Sequence, residues 1–204
     1  MGLLIQTVAQ TLTITYGDEN DTSDGSGAQE ITIFGLDGDY NQVTEVVATN
    51  GSSNVTAGAF IAVNRVLVTA AGVSGVNAGT ISLAQSTSGL VVAHIEIGYA
   101  VTQQLIYTVP KGFVAYIIYA QTSTVTPTGG AANVDYFGKI YNPDTGVTFI
   151  AYRDKLDSDV GNVNIIDNPA PDPFSAGFVV TISANSNKSN TFSSGRISIL
   201  LEVA

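Results

Sequence analysis

Between Glu30 and Ser82 the chain is a succession of short β-branched runs separated by Gly, Asn, Asp and Ser, with no stretch of helical periodicity between them. Runs of this length bounded by turn-forming residues specify strands joined by tight connections, and a sheet built this way has to bury one face against another layer. The same 53 residues hold a single basic side chain, Arg65, and no His, so no set of converging catalytic groups comes from this stretch. It reads as material for surfaces.

The pattern extends in both directions. Leu12 to Tyr16 (LTITY) alternates apolar and polar as a half-buried strand does, and Gly17 to Gln29 then holds four acids and three glycines with Ala28 as its lone apolar residue, which predicts an exposed loop. Two readings follow for the first 29 residues, a strand of the main sheet or an N-terminal arm reaching onto a neighbouring subunit; the long connection favours the arm, with Leu3, Leu4, Ile5, Val8, Leu12 and Ile14 as the side chains that add to a neighbour's sheet edge. Strands are predicted near Glu30–Leu36 and Gln42–Thr49 around the loop Asp37–Asn41, and over Phe60–Ala70 with a bulge or bend near Asn64. Gly79–Ala84 and Leu90–Ile97 continue the series. Val109-Pro110-Lys111-Gly112 predicts a hairpin turn, and the apolar run Phe113–Tyr119 after it predicts a central strand covered on both faces. Asn142-Pro143-Asp144-Thr145-Gly146 marks a second hairpin between Asn133–Tyr141 and Val147–Arg153. Asp154–Ser175, with Pro169, Pro171 and Pro173, reads as a loop whose prolines keep it out of ladders, before closing strands at Gly177–Ala184 and Gly195–Val203.

The expectation is an all-β fold: an antiparallel β-sandwich of jelly-roll type over residues 30–204, preceded by the arm and acidic loop of residues 1–29, with a closed barrel as the alternative. At 204 residues and without Cys, the fold must rest on packing and ladder hydrogen bonds, which suits a reducing compartment. Seventeen acids against seven bases give a formal charge of −10, which disfavours nucleic acid and anionic membranes as partners. Charged residues make up only 12% of the chain, about half the roughly 25% of ordinary globular domains, which fits a surface partly covered by neighbours. The opening MGLLIQTVAQ lacks the basic segment and apolar core of a secretory signal and reads as mature protein, and no run approaches the ~18 apolar residues of a spanning helix.

Candidate chemistry is sparse. His94 is the lone histidine, so any Ser-His-Asp arrangement would run through it, and its place in the alternating VVAHIEI argues for a structural role. No G-x-S-x-G elbow or phosphate-binding glycine loop is present, and no cofactor is expected. Glu45 and Glu96 are the carboxylates placed within strands and are the pair a glycoside hydrolase would use. Asp18, Asn20, Asp21 and Asp24, and separately Asp37, Asp39 and Asn41, have a calcium-like spacing but lack the Gly and Glu of an EF-hand, so solvated turns are the expectation and no metal site is assigned. Arg65, Arg153 and Arg196 are expected to pair with neighbouring acids.

The successive elements ITIFGLDGDYNQVTEVVATNG, FIAVNRVLVTAAG, GVNAGTIS and YTVPKGFVAYI, in that order between Ile31 and Tyr119, resemble a family of small virion structural proteins of tailed phages of marine and freshwater bacteria, including cyanophages. Phe113 and Val114 stand where a more polar pair is expected in that family. The resemblance implies a non-enzymatic protein resident on the particle and made in the host cytoplasm. The expected role is a capsid decoration or cement protein that stabilises the head, with the major capsid protein and copies of itself, as a homotrimer, for partners. A tail fibre, spike or other component that recognises a host-surface glycan through Tyr-bearing loops is the alternative.

Overall fold

The computed structural model describes residues 6–51, 54–125, 133–157, 163–167, 172–187 and 192–204. Fifteen antiparallel strands and no helix are found among them. The chain divides into two compact units, Met1–Gln104 and Leu105–Ala204, rather than into an arm and one domain with a boundary at residue 29.

Unit 1 contains β1 (Gln10–Tyr16), β2 (Ala28–Leu36), β3 (Gln42–Ala48), β4 (Val55–Phe60), β5 (Ala62–Ala71), β6 (Ile81–Gln85) and β7 (Val91–Ile95). They form a four-stranded sheet in the order β4-β1-β6-β7 and a three-stranded sheet β3-β2-β5. Alternation puts Leu12, Ile14, Ile31, Ile33, Ile81 and Leu83 on inner faces, and side chains of both sheets share one apolar core. Between Phe60 and Ala62 the chain leaves one sheet for the other at Ile61, so most of the run predicted as one strand is β5, and the bulge expected near Asn64 is present, the β2 ladder passing from Arg65 to Val63 with Asn64 skipped. Gly35 makes that corner possible: a Cβ there would lie 2.4 Å from the Ala62 carbonyl oxygen and 2.6 Å from the Phe60 ring. The β2–β3 loop is Asp37–Asn41 as read, but Tyr40 (φ 63°), not Gly38, takes its left-handed position.

The strand assigned to an arm is β1, an interior strand laddered to β4 and β6, as the alternative reading of a main-sheet strand has it, and Leu12 and Ile14 are fully buried in their own unit's core. Val8 is exposed, and Leu3, Leu4 and Ile5 lie outside the described residues. Short polar loops keep β2–β3 and β6–β7 as in-sheet hairpins.

Unit 2 contains β8 (Leu105–Thr108), β9 (Phe113–Val125), β10 (Asn133–Asn142), β11 (Val147–Asp157), β12 (Val163–Asp167), β13 (Pro173–Phe174), β14 (Val179–Ser186) and β15 (Phe192–Val203). One sheet has the order β11-β10-β14-β8; in the other, β9 is central, with β15 along one side and β12 and β13 in succession along the other. The Asn142–Gly146 hairpin forms as predicted, closed by Gly146 N–H donating to the Asn142 carbonyl (2.9 Å) with Gly146 at φ 68°. The Pro110 turn also forms, with the Phe113 N–H donating to the Pro110 carbonyl (3.3 Å) and Gly112 at φ 81°, but β8 and β9 go to different sheets, so it is a corner and not a hairpin. Local chemistry made the turn; the strands' partners, β14 for β8 and β12, β13 and β15 for β9, come from 40 or more residues downstream in the chain. Pro173 enters a ladder against Tyr116, contrary to the reading of its loop as excluded from pairing. A two-residue edge strand can spare the N–H that proline lacks.

Candidate functional site

The outer face of the four-stranded sheet aligns Thr15, Ser82 and His94 across β1, β6 and β7. Ser82 Oγ lies 3.1 Å from His94 Nδ1, and His94 Nε2 lies 3.0 Å from Glu96 Oε1. This line has the connectivity of a nucleophile, a base and an orienting acid. Acyl transfer also needs N–H donors aimed at the developing oxyanion. Ser82, however, sits inside β6 with ladders on both sides, so the backbone N–H groups around it are committed to β1 and β7. What the line does is hold three polar side chains in fixed positions on a flat, partly exposed sheet face.

The two carboxylates singled out for glycoside cleavage are not brought together. Glu45 Oε2 accepts the Gly58 N–H of β4 (2.8 Å), whereas Glu96 follows β7 and pairs with His94. β4 and β7 are opposite edges of one sheet, three strand spacings or about 14 Å apart, beyond the roughly 5–9.5 Å that the reaction spans.

The acidic loops prove to be internal scaffolding. Asp18 Oδ1 accepts from the Asn20 backbone and side-chain amides (2.9 and 2.8 Å), and Asp37 Oδ1 accepts from the N–H groups of Asp39 and Asn41 (2.9 Å each). Asp21 is fully buried and takes three backbone N–H donors at 2.7 Å, from Ala28 and Ala78 on Oδ1 and from Gly79 on Oδ2. The oxygens that calcium would need are thus turned toward amides, and no three His, Cys, Asp or Glu among the described residues are grouped to hold a metal. Burial, with the Asp21 carboxylate as the second cause, pushes the Tyr16 hydroxyl up to about 12. Nothing in the sequence separates Asp21 from Asp18 or Asp24, since the donors that distinguish it come from Ala28 at the start of β2 and from residues 57 and 58 positions away.

Unit 2 is built differently. Its tightly buried cluster is small, Val134, Tyr136 and Leu156. Beside it a cleft of about 520 Å³ lies between the sheets, walled by Ile117, Tyr119, Phe149, Phe174, Phe178 and Val180 among others. Val147, Phe149 and Ile150 of β11 are 55%, 43% and 57% exposed, and Ile118, Leu200 and Val203 also face solvent. Ile118, in the run of β9 expected to be covered by the second sheet and by a loop or a partner, is 39% exposed within this chain. Arg153 lies 3.9 Å from Asp135 and stands over the Phe137 ring, as its expected pairing with an acid requires.

Bare edges set the two units apart as well. In unit 1 the β4 edge is met by Glu45, and the β5 edge by the segment following β7, with Val68 N–H donating to the Ala100 carbonyl and Thr102 N–H to the Val66 carbonyl. The β7 edge receives the Gln104 side chain on the Val92 carbonyl. In unit 2, β11 pairs only with β10 and β15 only with β9 among the described residues, although they are 11 and 12 residues long.

Fold and surface together define an all-β protein of two compact units, the second of which, among the described residues, carries exposed apolar side chains on an edge strand. No family profile, curated protein or solved structure matches the chain.

Proposed function

We propose that the protein is a structural component of a phage virion, a capsid decoration or cement protein that works by contact between subunits. The observation that carries this reading is the apolar edge of unit 2, where Val147, Phe149 and Ile150 stand exposed on β11, a long strand that among the described residues is paired on one side only, with β10. An exposed strand of that kind is an aggregation hazard in a free monomer and an asset in an assembly. Many such small contacts across the joints of a shell add through multivalency and resist internal pressure.

The partners of this reading are the major capsid protein and copies of the same chain, in the homotrimer expected from the sequence, on the capsid surface. The acidic, base-poor composition supports protein neighbours over nucleic acid. Because Leu12 and Ile14 belong to the core, an arm can use only Leu3, Leu4, Ile5 and Val8. Removing residues 1–8 and measuring occupancy on purified capsids tests the arm; undiminished occupancy takes it out of the mechanism. Counting copies per particle tests the reading itself. Hundreds of copies are expected of a decoration protein, a few tens or fewer would favour the host-glycan component, and absence from purified particles would end both.

A further inference from the structure

We infer that the outer face of the β10–β11 hairpin binds an acidic polysaccharide, a carbohydrate chain bearing carboxylate or sulfate groups. The site lies within unit 2 alone and stands whether or not the chain rides on a particle.

Tyr136 fixes the inner face of this sheet, since its hydroxyl donates to the Ser123 carbonyl of β9 (2.6 Å). Alternation then sends Asp135, Phe137, Lys139 and Tyr141 to the opposite side. On β11 the alternation is broken at Ala151, which the ladder skips between Tyr152, opposite Gly138, and Ile150, opposite Lys139. Ile150 and Arg153, three positions apart, thereby come to the outer side together, with Lys155 across from Asp135. A regular strand would have placed Ile150 and Arg153 on opposite faces.

Three of the chain's seven basic side chains therefore meet on one face of one hairpin, in a protein of net charge −10. Lys139 Nζ lies 5.7 Å, and the Arg153 guanidinium carbon 5.3 Å, from the centroid of the same Phe137 ring. Two like charges share one ring. Among the described side chains of these strands, the carboxylate on this face is Asp135, 3.9 Å from Arg153, while Asp154 alternates to the inner side. The cations outnumber it. Arg153 keeps 67% of its side chain exposed and Lys155 is exposed as well, so their charges are open to a ligand.

The rest of the face selects that ligand. Ser183 and Asn185 of β14, in register with Phe137 and Asp135, add a hydroxyl and an amide of the kind that sugar hydroxyls pair with. Tyr141 and Ile150 border the cations and offer apolar surface to the C–H side of a sugar ring. A protein partner needs an aromatic or aliphatic anchor seated in a pocket, and the central ring here, Phe137, is already taken by its two cations. Duplex nucleic acid carries a charge about every 1.7 Å and would also meet the acidic remainder of the chain. A polysaccharide with one acid per sugar, or per few sugars, needs only a few separated cations.

Binding of the full chain to polygalacturonate, a uronic acid polymer, and to dextran sulfate is measured by calorimetry, with uncharged dextran, poly-glutamate and duplex DNA alongside. Binding to one or both acidic polysaccharides and none to dextran is expected, and which of the two binds identifies the anion as carboxylate or sulfate. Arg153→Glu should weaken that binding about tenfold or more, by removing a cation and setting a like charge beside the ligand's. Arg153→Lys should fall between, because charge is kept while the two-pronged donor is lost. Arg65→Glu, the same change of net charge at an exposed position of unit 1, should leave affinity within about twofold. Since Arg153 is exposed, its variants should unfold at the parent's temperature. No binding to either polysaccharide, or equal losses from Arg153→Glu and Arg65→Glu, overturns the inference. Poly-glutamate or DNA bound through Arg153 as tightly as the polysaccharides would assign the face to an acidic protein or to nucleic acid, and overturns it too. None of these results alters the number of copies per particle, so the virion reading stands or falls separately.

Discussion

Unit 1 and unit 2 are built from the same kind of sequence, with β-branched runs and Gly/Asn/Asp turns, and they end in different states. Among the described residues unit 1 buries sixteen apolar side chains in one cluster, fastens its acidic loop through Asp21 and meets its β4, β7 and β5 edges with Glu45, Gln104 and the residues after β7, leaving β3 as an exposed edge. Unit 2, among its described residues, has a smaller buried cluster of Val134, Tyr136 and Leu156, a cleft between its sheets, and β11 and β15 each paired on one side only. The difference shows where stability is local and where it is deferred. A closed core supplies its own cohesion; an open one reaches full burial only against a neighbour, and that division of labour is what a shell-bound contact protein needs.

The largest test of this contrast is Asp21→Ala. Three buried N–H groups lose a charged acceptor, and unit 1 is expected to lose about 3–6 kcal/mol, a large share of the 5–15 typical of a domain. Hydrogen exchange should show amides of β1, β2 and β6 losing protection while those of β9 and β10 keep theirs; equal loss in both units would break the picture of separate cores. A matched pair of core truncations sharpens the contrast. Ile14→Ala removes a fully buried side chain and should cost about 2–5 kcal/mol, whereas Ile117→Ala, in the cleft wall, should cost about 1 kcal/mol because fewer atoms surround it. Similar midpoint shifts in denaturant unfolding would mean that unit 2 is as well packed as unit 1.

The smallest effect is at alkaline pH. The Tyr16 hydroxyl titrates near 12 in the folded chain against 10 in the unfolded chain, so the neutral form is the one the fold accepts. Its contribution is intact below pH 10 and is lost as pH rises from 10 through 12, when the unfolded chain ionises first. Thermal melts should therefore show unit 1 weakening over that window, and Tyr16→Phe should flatten the decline. Since no described residue hydrogen-bonds the Tyr16 hydroxyl, the Phe variant should be as stable as the parent at pH 7. A Phe variant with an unchanged alkaline decline would place the titrating group elsewhere.

The strands β2, β3, β6 and β7 and the β10–β11 hairpin were legible because alternation and turn residues act over a few positions: Asp37 and Asn142 each bind their own loop's amides. The pairing of β8 with β14, the interior place of β1 and the split at Gln104 were not, because each depends on a partner far away in the chain. The candidate site was less legible still. Ser82, His94 and Glu96 looked unrelated until the β6–β7 register aligned them, and Glu45 and Glu96, alike on paper, fall on opposite edges of a sandwich.

Composition and periodicity determined that this chain is all β, acidic and free of cysteine chemistry, since those properties are sums and short-range patterns that any fold of the sequence inherits. Tertiary structure decided which acid is buried, which strand is interior and which edge stays open. Those outcomes follow from register and sheet order, where one strand's neighbour sets whether its side chains and N–H groups are spent inside the unit or left for another molecule.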